Sequence, residues 1–412
     1  MKAMQNVWGR RAAASGLALL MAAALPVTAL ADGPGEAPTP EYLAYMEKLQ
    51  DNHMEYEEIP DLIKNFYGPI KSSYDMLEQS KESQAMITTE LRIEARDLLD
   101  EADIAKEELD DAQSANDIMN AQETLIGNRI AAKQMRSTAS SMDRSMERKS
   151  SQEKALDQQL NGLVYQVQGL MNQYEQLISQ RTVAAKALEI ADMARQVQET
   201  MEAQGMAVSG DVLAAASQLA SAKSSLSSLD ETISMLHKNL CSLTGWGNDG
   251  NPEIGPVPAA DVAAIASIDV NADKEKAVGN NYEMIAMRTS TGGGMSDLQV
   301  RTTKTTTQTK NKLRNSEYSE DSLRSDIQAL YDTILEKKAA YDAAATALQS
   351  AQLTWNAAQI QKQSGSLSNL AYLQQELAYL QAQSGFKCAD LSLQQAMQNY
   401  NWAVQGVSVA VE

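Results

Sequence analysis

Proline is missing from two long stretches of this chain. The nine prolines stand at 26, 34, 38, 40, 60, 69, 252, 256 and 258, so none falls between Pro69 and Pro252 and none after Pro258. Because proline costs a helix interior about 3 kcal/mol, proline-free stretches rich in Ala, Leu, Gln and Met predict long helices. Aromatic residues are scarce, 5% of the chain with only two Phe, which argues against a thick globular core and suits helices packed in thin layers. Positive charge is outweighed: 35 Lys and Arg against 54 Asp and Glu give a formal charge of −19. Such a surface repels nucleic acid and anionic headgroups, so neither is a partner. Long apolar runs are absent after Leu30, which excludes a further membrane-spanning helix.

The one apolar run, Ala12 to Leu30, follows Lys2, Arg10 and Arg11 and ends in Ala29-Leu30-Ala31 before Asp32. It predicts a signal peptide over residues 1–31 and export from the cytoplasm. Between Thr244 and Ala263 the chain reads TGWGNDGNPEIGPVPAADVA, a Gly/Pro density that no helix continues and that predicts a connector. The helical stretches carry heptad seams. Leu226, Leu229, Ile233, Leu236, Leu240 and Leu243 form one, and Leu323, Ile327, Leu330, Ile334, Tyr341, Ala344, Leu348, Ala351 and Trp355 form another, interrupted by Lys337. No stretch alternates with a period of two, so no strand is predicted. Residues 70–135 form a further charged helical region, read as a solvated face.

Shifted by 160 residues, the chain matches itself: Leu163 falls on Leu323, Gln168 on Gln328, Leu170 on Leu330, Gly205 on Gly365, Leu213 on Leu373 and Asp230 on Asp390. Each copy has an outgoing helix, a glycine-bearing break and a returning helix, the pattern of an αα-hairpin. About 40 residues on either side of each break give arms of about 60 Å. The expected organisation is a first helical repeat with extra N-terminal helices over 32–243, a connector over 244–263 and a second repeat over 264–412. The fold class is all-α: duplicated long helical hairpins in a coiled-coil-like bundle.

The order of helix, Gly-x-x-Ser break, Leu near an acid or Asn, and returning helix, once duplicated, resembles the TolC, or outer membrane efflux protein, family. The stretches that carry the likeness end in QGMAVSGDVL and SGSLSNLAYL. The resemblance implies a homotrimer, a helical tunnel, and a cell-envelope location in outer membrane or periplasm, extracytoplasmic if the cell has a single membrane. It also implies an adaptor protein and a membrane transporter as partners. Carried over, it makes Gly205, Ser209, Asp211 and Leu213, with Gly365, Ser368, Asn369 and Leu373, the hairpin tips that meet a partner. Asp211 would be the entrance acid, although its counterpart is Ala371 and a plain helix-start Asp is an equal reading. One departure stands out. The place for the second pair of barrel strands, residues 288–322, has a single Tyr and few apolar residues, so a TolC-type helical section with little or no β-barrel is expected. The implied function is an efflux or export conduit. The alternative is a structural coiled-coil protein of the envelope.

No enzyme, cofactor or metal is expected. His53 and His237 come with no HExxH, paired-cysteine or phosphate-loop pattern, and the DVNADK stretch from Asp269 has Lys274 where a calcium loop needs Gly. Cys241 and Cys388 lie 13 positions out of step between the two copies, about 20 Å along parallel helices. They are therefore predicted to stay unpaired.

Overall fold

The computed structural model describes residues 45–46, 48–49, 51–247, 251–285, 287 and 303–409, with side chains from residue 314 onward in the last segment. The predicted signal peptide and, from the stretch 288–322 read as the place of barrel strands, residues 288–302 lie outside them. Residues 1–48 separate from 49–412, and everything below concerns the latter.

Among the described residues the chain is almost entirely helical, and its strands close no barrel. A parallel pair, β1 (His53–Met54) on β2 (Glu253–Ile254), makes up the sheet. The helices are α1 (Ile59–Phe66), α2 (Gly68–Asp111), α3 (Ala115–Met146), α4 (Ser151–Ala203), α5 (Ser209–Leu243), α6 (Val262–Ile265), α7 (Val270–Asn280), α8 (Thr303–Gln363) and α9 (Asn369–Val404). The prolines sit where the sequence permits them, Pro60 and Pro69 in the first turns of α1 and α2. Serine starts α3 and α4: Ser114 accepts the Asp117 N–H at 3.2 Å and Ser150 the Glu153 N–H at 3.0 Å.

Three antiparallel hairpins result, α2–α3, α4–α5 and α8–α9, and α4 packs against α9. The two long hairpins thus form one layer in the order α5, α4, α9, α8. Short helices repeat the relation, α1 against α4 and α7 against α8. Both hairpins end at their base on a glycine pressed against the preceding short helix. A Cβ on Gly245 would come within 2.6 Å of the Phe66 carbonyl carbon, and one on Gly406 within 2.5 Å of the Asn280 oxygen, so neither position admits a side chain.

The second heptad seam is the core of its hairpin: Ile327, Leu330 and Ile334 pack with Leu393, Ala396, Tyr400 and Ala403. Between the hairpins, where Leu391 is also buried, hydrogen bonds cross the contact. Trp402 Nε1 donates to Gln168 Oε1 at 3.0 Å, Gln398 donates to the same oxygen, and Gln394 Nε2 donates to the Tyr56 hydroxyl at 3.1 Å. Asn172 Nδ2 donates to the Leu391 carbonyl at 2.8 Å. Burial of Tyr56 raises its phenol pKa, partly offset by Gln394 and Gln398. Buried amides that satisfy one another fix register, because a one-turn slip leaves each of them unpaired. Farther out, Ser179 pairs with Ser384, Lys387 with Glu175 at 2.8 Å, and Lys186 with Glu376 at 3.1 Å. Cys241 is buried and Cys388 half-buried, and both are free. The Cys241 sulfur lies 3.5 Å from His237 Nδ1.

Candidate docking site at the hairpin tips

The sequence points to the far ends of the two long hairpins. Their backbones close identically. At the end of α4, Gly205 adopts φ +74°, its N–H donates to the Glu202 carbonyl at 2.8 Å, and the Met206 N–H donates to Met201 at 2.8 Å. At the end of α8, Gly365 has φ +74°, its N–H donates to Lys362 at 3.1 Å, and the Ser366 N–H donates to Gln361 at 3.0 Å. This paired closure satisfies the last carbonyls of a helix and needs a left-handed residue, which is why glycine recurs at 160 residues' distance.

The returning helices start differently. Ser368 caps α9, its Oγ accepting the Ala371 N–H at 3.2 Å. The equivalent residue before α5 is Val208, which has no side-chain oxygen. Asp211 compensates from the third position: its Oδ2 accepts the Val208 N–H at 3.3 Å, while its own N–H donates to the Val208 carbonyl at 2.9 Å. Asp211 is exposed, and its carboxylate is engaged in holding the start of α5.

The side chains at the two tips also part ways. On the first, Met206, Val208 and Leu213 are 63%, 66% and 73% exposed, with exposed Ser209 beside them. On the second, Leu373 is 8% exposed. Nearby, Trp355 lies 4.9 Å from Tyr372 between ring centroids and stacks on Tyr379 at 6.2 Å. Lys362 sits 5.7 Å over the Tyr372 ring and donates to the Asn369 side chain. Leu213 and Leu373, equivalent in sequence, therefore occupy opposite environments. Sequence reasoning passed over Met206, Val208 and the Trp355–Tyr372–Tyr379 cluster. The signal was present in the same alignment, since the shift pairs Met206 with Ser366, Val208 with Ser368 and Trp355 with Arg195.

Among the described residues no group of three or more His, Cys, Asp or Glu side chains could hold a metal ion, and no helix is long and apolar enough to cross a membrane. No protein-family model matches the sequence, and no curated protein matches it. Solved structures do resemble it distantly. The outer membrane channel CmeC of Campylobacter jejuni is 14% identical, with a TM-score of 0.42 over 68% of this chain and 69% of that one. A membrane protein from Pseudomonas aeruginosa is 13% identical, with a TM-score of 0.42 over 85% of this chain and 90% of that one. The outer membrane protein VceC of Vibrio cholerae is 16% identical, with a TM-score of 0.38 over 69% and 76%. At such distances what the chain does has to be read from its own residues.

Proposed function

We propose that this chain is a non-enzymatic subunit of a helical conduit in the cell envelope, exported by a signal peptide and assembled as a homo-oligomer, a trimer by the family resemblance. In this reading it carries efflux or export together with an adaptor and a membrane transporter, and the first hairpin tip is the surface that meets the adaptor. One observation carries the reading. Among the described residues the layer of α5, α4, α9 and α8 has two open edges, and the α8 edge presents Leu335, Leu353 and Ile360 at 44%, 66% and 67% exposure. Positions 335, 353 and 360 fall on one row of the helix at 3.6 residues per turn. A single layer cannot bury such a row by itself, and a neighbouring copy that brings its α5 edge to it does so while leaving the two faces of the layer as the wall of a tube.

Sedimentation and electron microscopy of the purified protein test this. Rings or tubes support the conduit, whereas a protein that stays monomeric at every concentration sinks it and leaves the structural coiled-coil reading. The adaptor surface is tested separately: replacing Met206 and Leu213 together by Asp is expected to weaken adaptor binding about tenfold or more, as for the loss of a central apolar contact, with assembly unchanged. Equal binding by that variant removes the tip from the interface.

A further inference from the structure

The α2–α3 hairpin carries several of its large apolar side chains away from its own seam. Its seam is made of small residues: Thr88, Ala95 and Ala102 of α2 and Ala121, Ala132 and Ala139 of α3 are buried, which lets the two helices approach closely. Larger residues such as Leu99, Leu125 and Met135 are half-buried beside it, but other large residues lie outside. On α2, Met86, Ile93 and Ile104 are 70%, 55% and 58% exposed, and on α3, Met119, Ile126 and Ile130 are 69%, 49% and 54% exposed. Met86, Ile93, Ile104, Met119 and Ile130 each lie two residues, about 200° of helix turn, from a buried seam residue. Both helices therefore present a second row on the edge that faces away from the partner helix.

The two edges differ in charge. Counted along its sequence, α2 holds 13 acidic and 5 basic residues, and α3 holds 3 acidic and 4 basic. Glu82, Asp97, Asp100 and Glu107 flank the α2 row, and Lys133 flanks the α3 row. Asp97, Asp100 and Lys133 have no ion-pair partner among the described residues. Contacts within the hairpin set the height of each residue, Arg129 with Asp103 at 3.6 Å and Asn128 with Glu101 at 3.2 Å. A second copy at the same height then brings its Ile126 and Ile130 to Ile104, and its Lys133 to Asp97 and Asp100.

We infer that the α2 edge of one copy docks on the α3 edge of the next, so that the hairpins of successive copies form a closed helical collar. The contact is head-to-tail, joins unlike edges, and repeats the antiparallel packing already present inside the hairpin. A lipid surface is the poorer occupant, because the acids beside the α2 row repel anionic headgroups. The inference deepens the assembly proposed above but stands on a different surface.

Engineered crosslinking in the full chain tests it. With Cys241 and Cys388 replaced by Ala, the pair Ile104→Cys and Ile126→Cys is expected to give a covalent ladder of copies on mild oxidation. Within one copy the two positions face opposite edges of helices about 8–10 Å apart, beyond the reach of a disulfide. Either single variant is expected to give no ladder, and an Ile104→Cys protein that forms dimers as fast as the pair forms its ladder overturns the head-to-tail contact. Assembled protein without a ladder overturns the collar and leaves the conduit standing, while protein that never assembles removes both. A surface substitution guards against misfolding: Lys133→Glu should weaken association about fivefold, and adding Asp100→Lys should restore it. Weakening without that rescue also overturns the inference, as does a monomer that binds neutral phospholipid vesicles instead.

Discussion

The two hairpin tips share a backbone and differ in almost everything attached to it. Gly205 and Gly365 have the same φ of +74°, and each closes its helix with the same pair of N–H to carbonyl bonds. Yet the first tip holds Met206, Val208 and Leu213 out to solvent, while the second folds Trp355, Tyr372 and Tyr379 onto one another and covers Leu373. Where Trp355 stands in the second hairpin, the first has Arg195, paired on its own helix with Asp192 at 3.1 Å and with Glu199. Turn geometry is thus the conserved quantity of the duplication, since only a left-handed residue ends a helix this way. Side-chain packing is free to diverge. Around its returning helix the second tip covers its aromatic cluster and Leu373, leaving Ile360 exposed on the α8 side, whereas the three apolar side chains of the first tip are exposed among the described residues, which is the property a docking surface needs.

The largest test of that contrast is Trp355→Ala. It removes the ring that bridges Tyr372 and Tyr379 and is expected to cost about 3 kcal/mol of stability, near the lower end for a buried aromatic because the cluster lies at the end of a hairpin. Thermal or denaturant unfolding measures it. Arg195→Ala, at the equivalent place, should stay within about 0.5 kcal/mol because its pairs are exposed and local. Similar losses from both would mean that the tips are equally packed. Next in size is Lys362, whose ammonium lies over Tyr372 and bonds Asn369. Lys362→Ala should cost about 0.5–1 kcal/mol, with faster hydrogen exchange at the second tip, and Glu202→Ala, its counterpart, should cost close to nothing. A costly Glu202→Ala would reveal an unrecognised contact at the first tip.

The helices were legible because proline position and heptad spacing act locally: Ile327, Leu330 and Ile334 are buried as their seam requires. The glycine turns were legible for the same reason, since left-handed φ is a property of one residue. Two features were not. The exposed rows on α2 and α3 read as parts of a charged, solvated region, because periodicity tells which residues share a face but not which face meets the neighbouring helix. Here alanines such as Ala95, Ala102 and Ala132 took the seam, and the isoleucines were left outside. The polar contact between the hairpins was hidden too. Gln168, Asn172 and Gln398 look like surface residues until α9 is laid against α4 and each amide finds its partner.

The smallest expected effect is at the helix starts, and it separates the two tips most directly. Ser368 accepts the Ala371 N–H at 3.2 Å, so Ser368→Ala should cost about 1 kcal/mol, the usual worth of such a cap. The first tip lacks that bond because Val208 stands in its place, and Asp211 supplies the reverse one, accepting the Val208 N–H at 3.3 Å. Val208→Ser therefore adds the missing half of a reciprocal cap whose other half is already built. The expected gain is about 0.5–1 kcal/mol, read as slower hydrogen exchange in the first turn of α5, with little change elsewhere. The same substitution removes one of three exposed apolar side chains from the first tip. If that tip is a docking surface, Val208→Ser should stabilise the free protein and weaken its hold on the adaptor. A variant that gains protection and binds the adaptor as well as before would mean that Val208 is an ordinary weak cap, and that the open tip has no part in recognition.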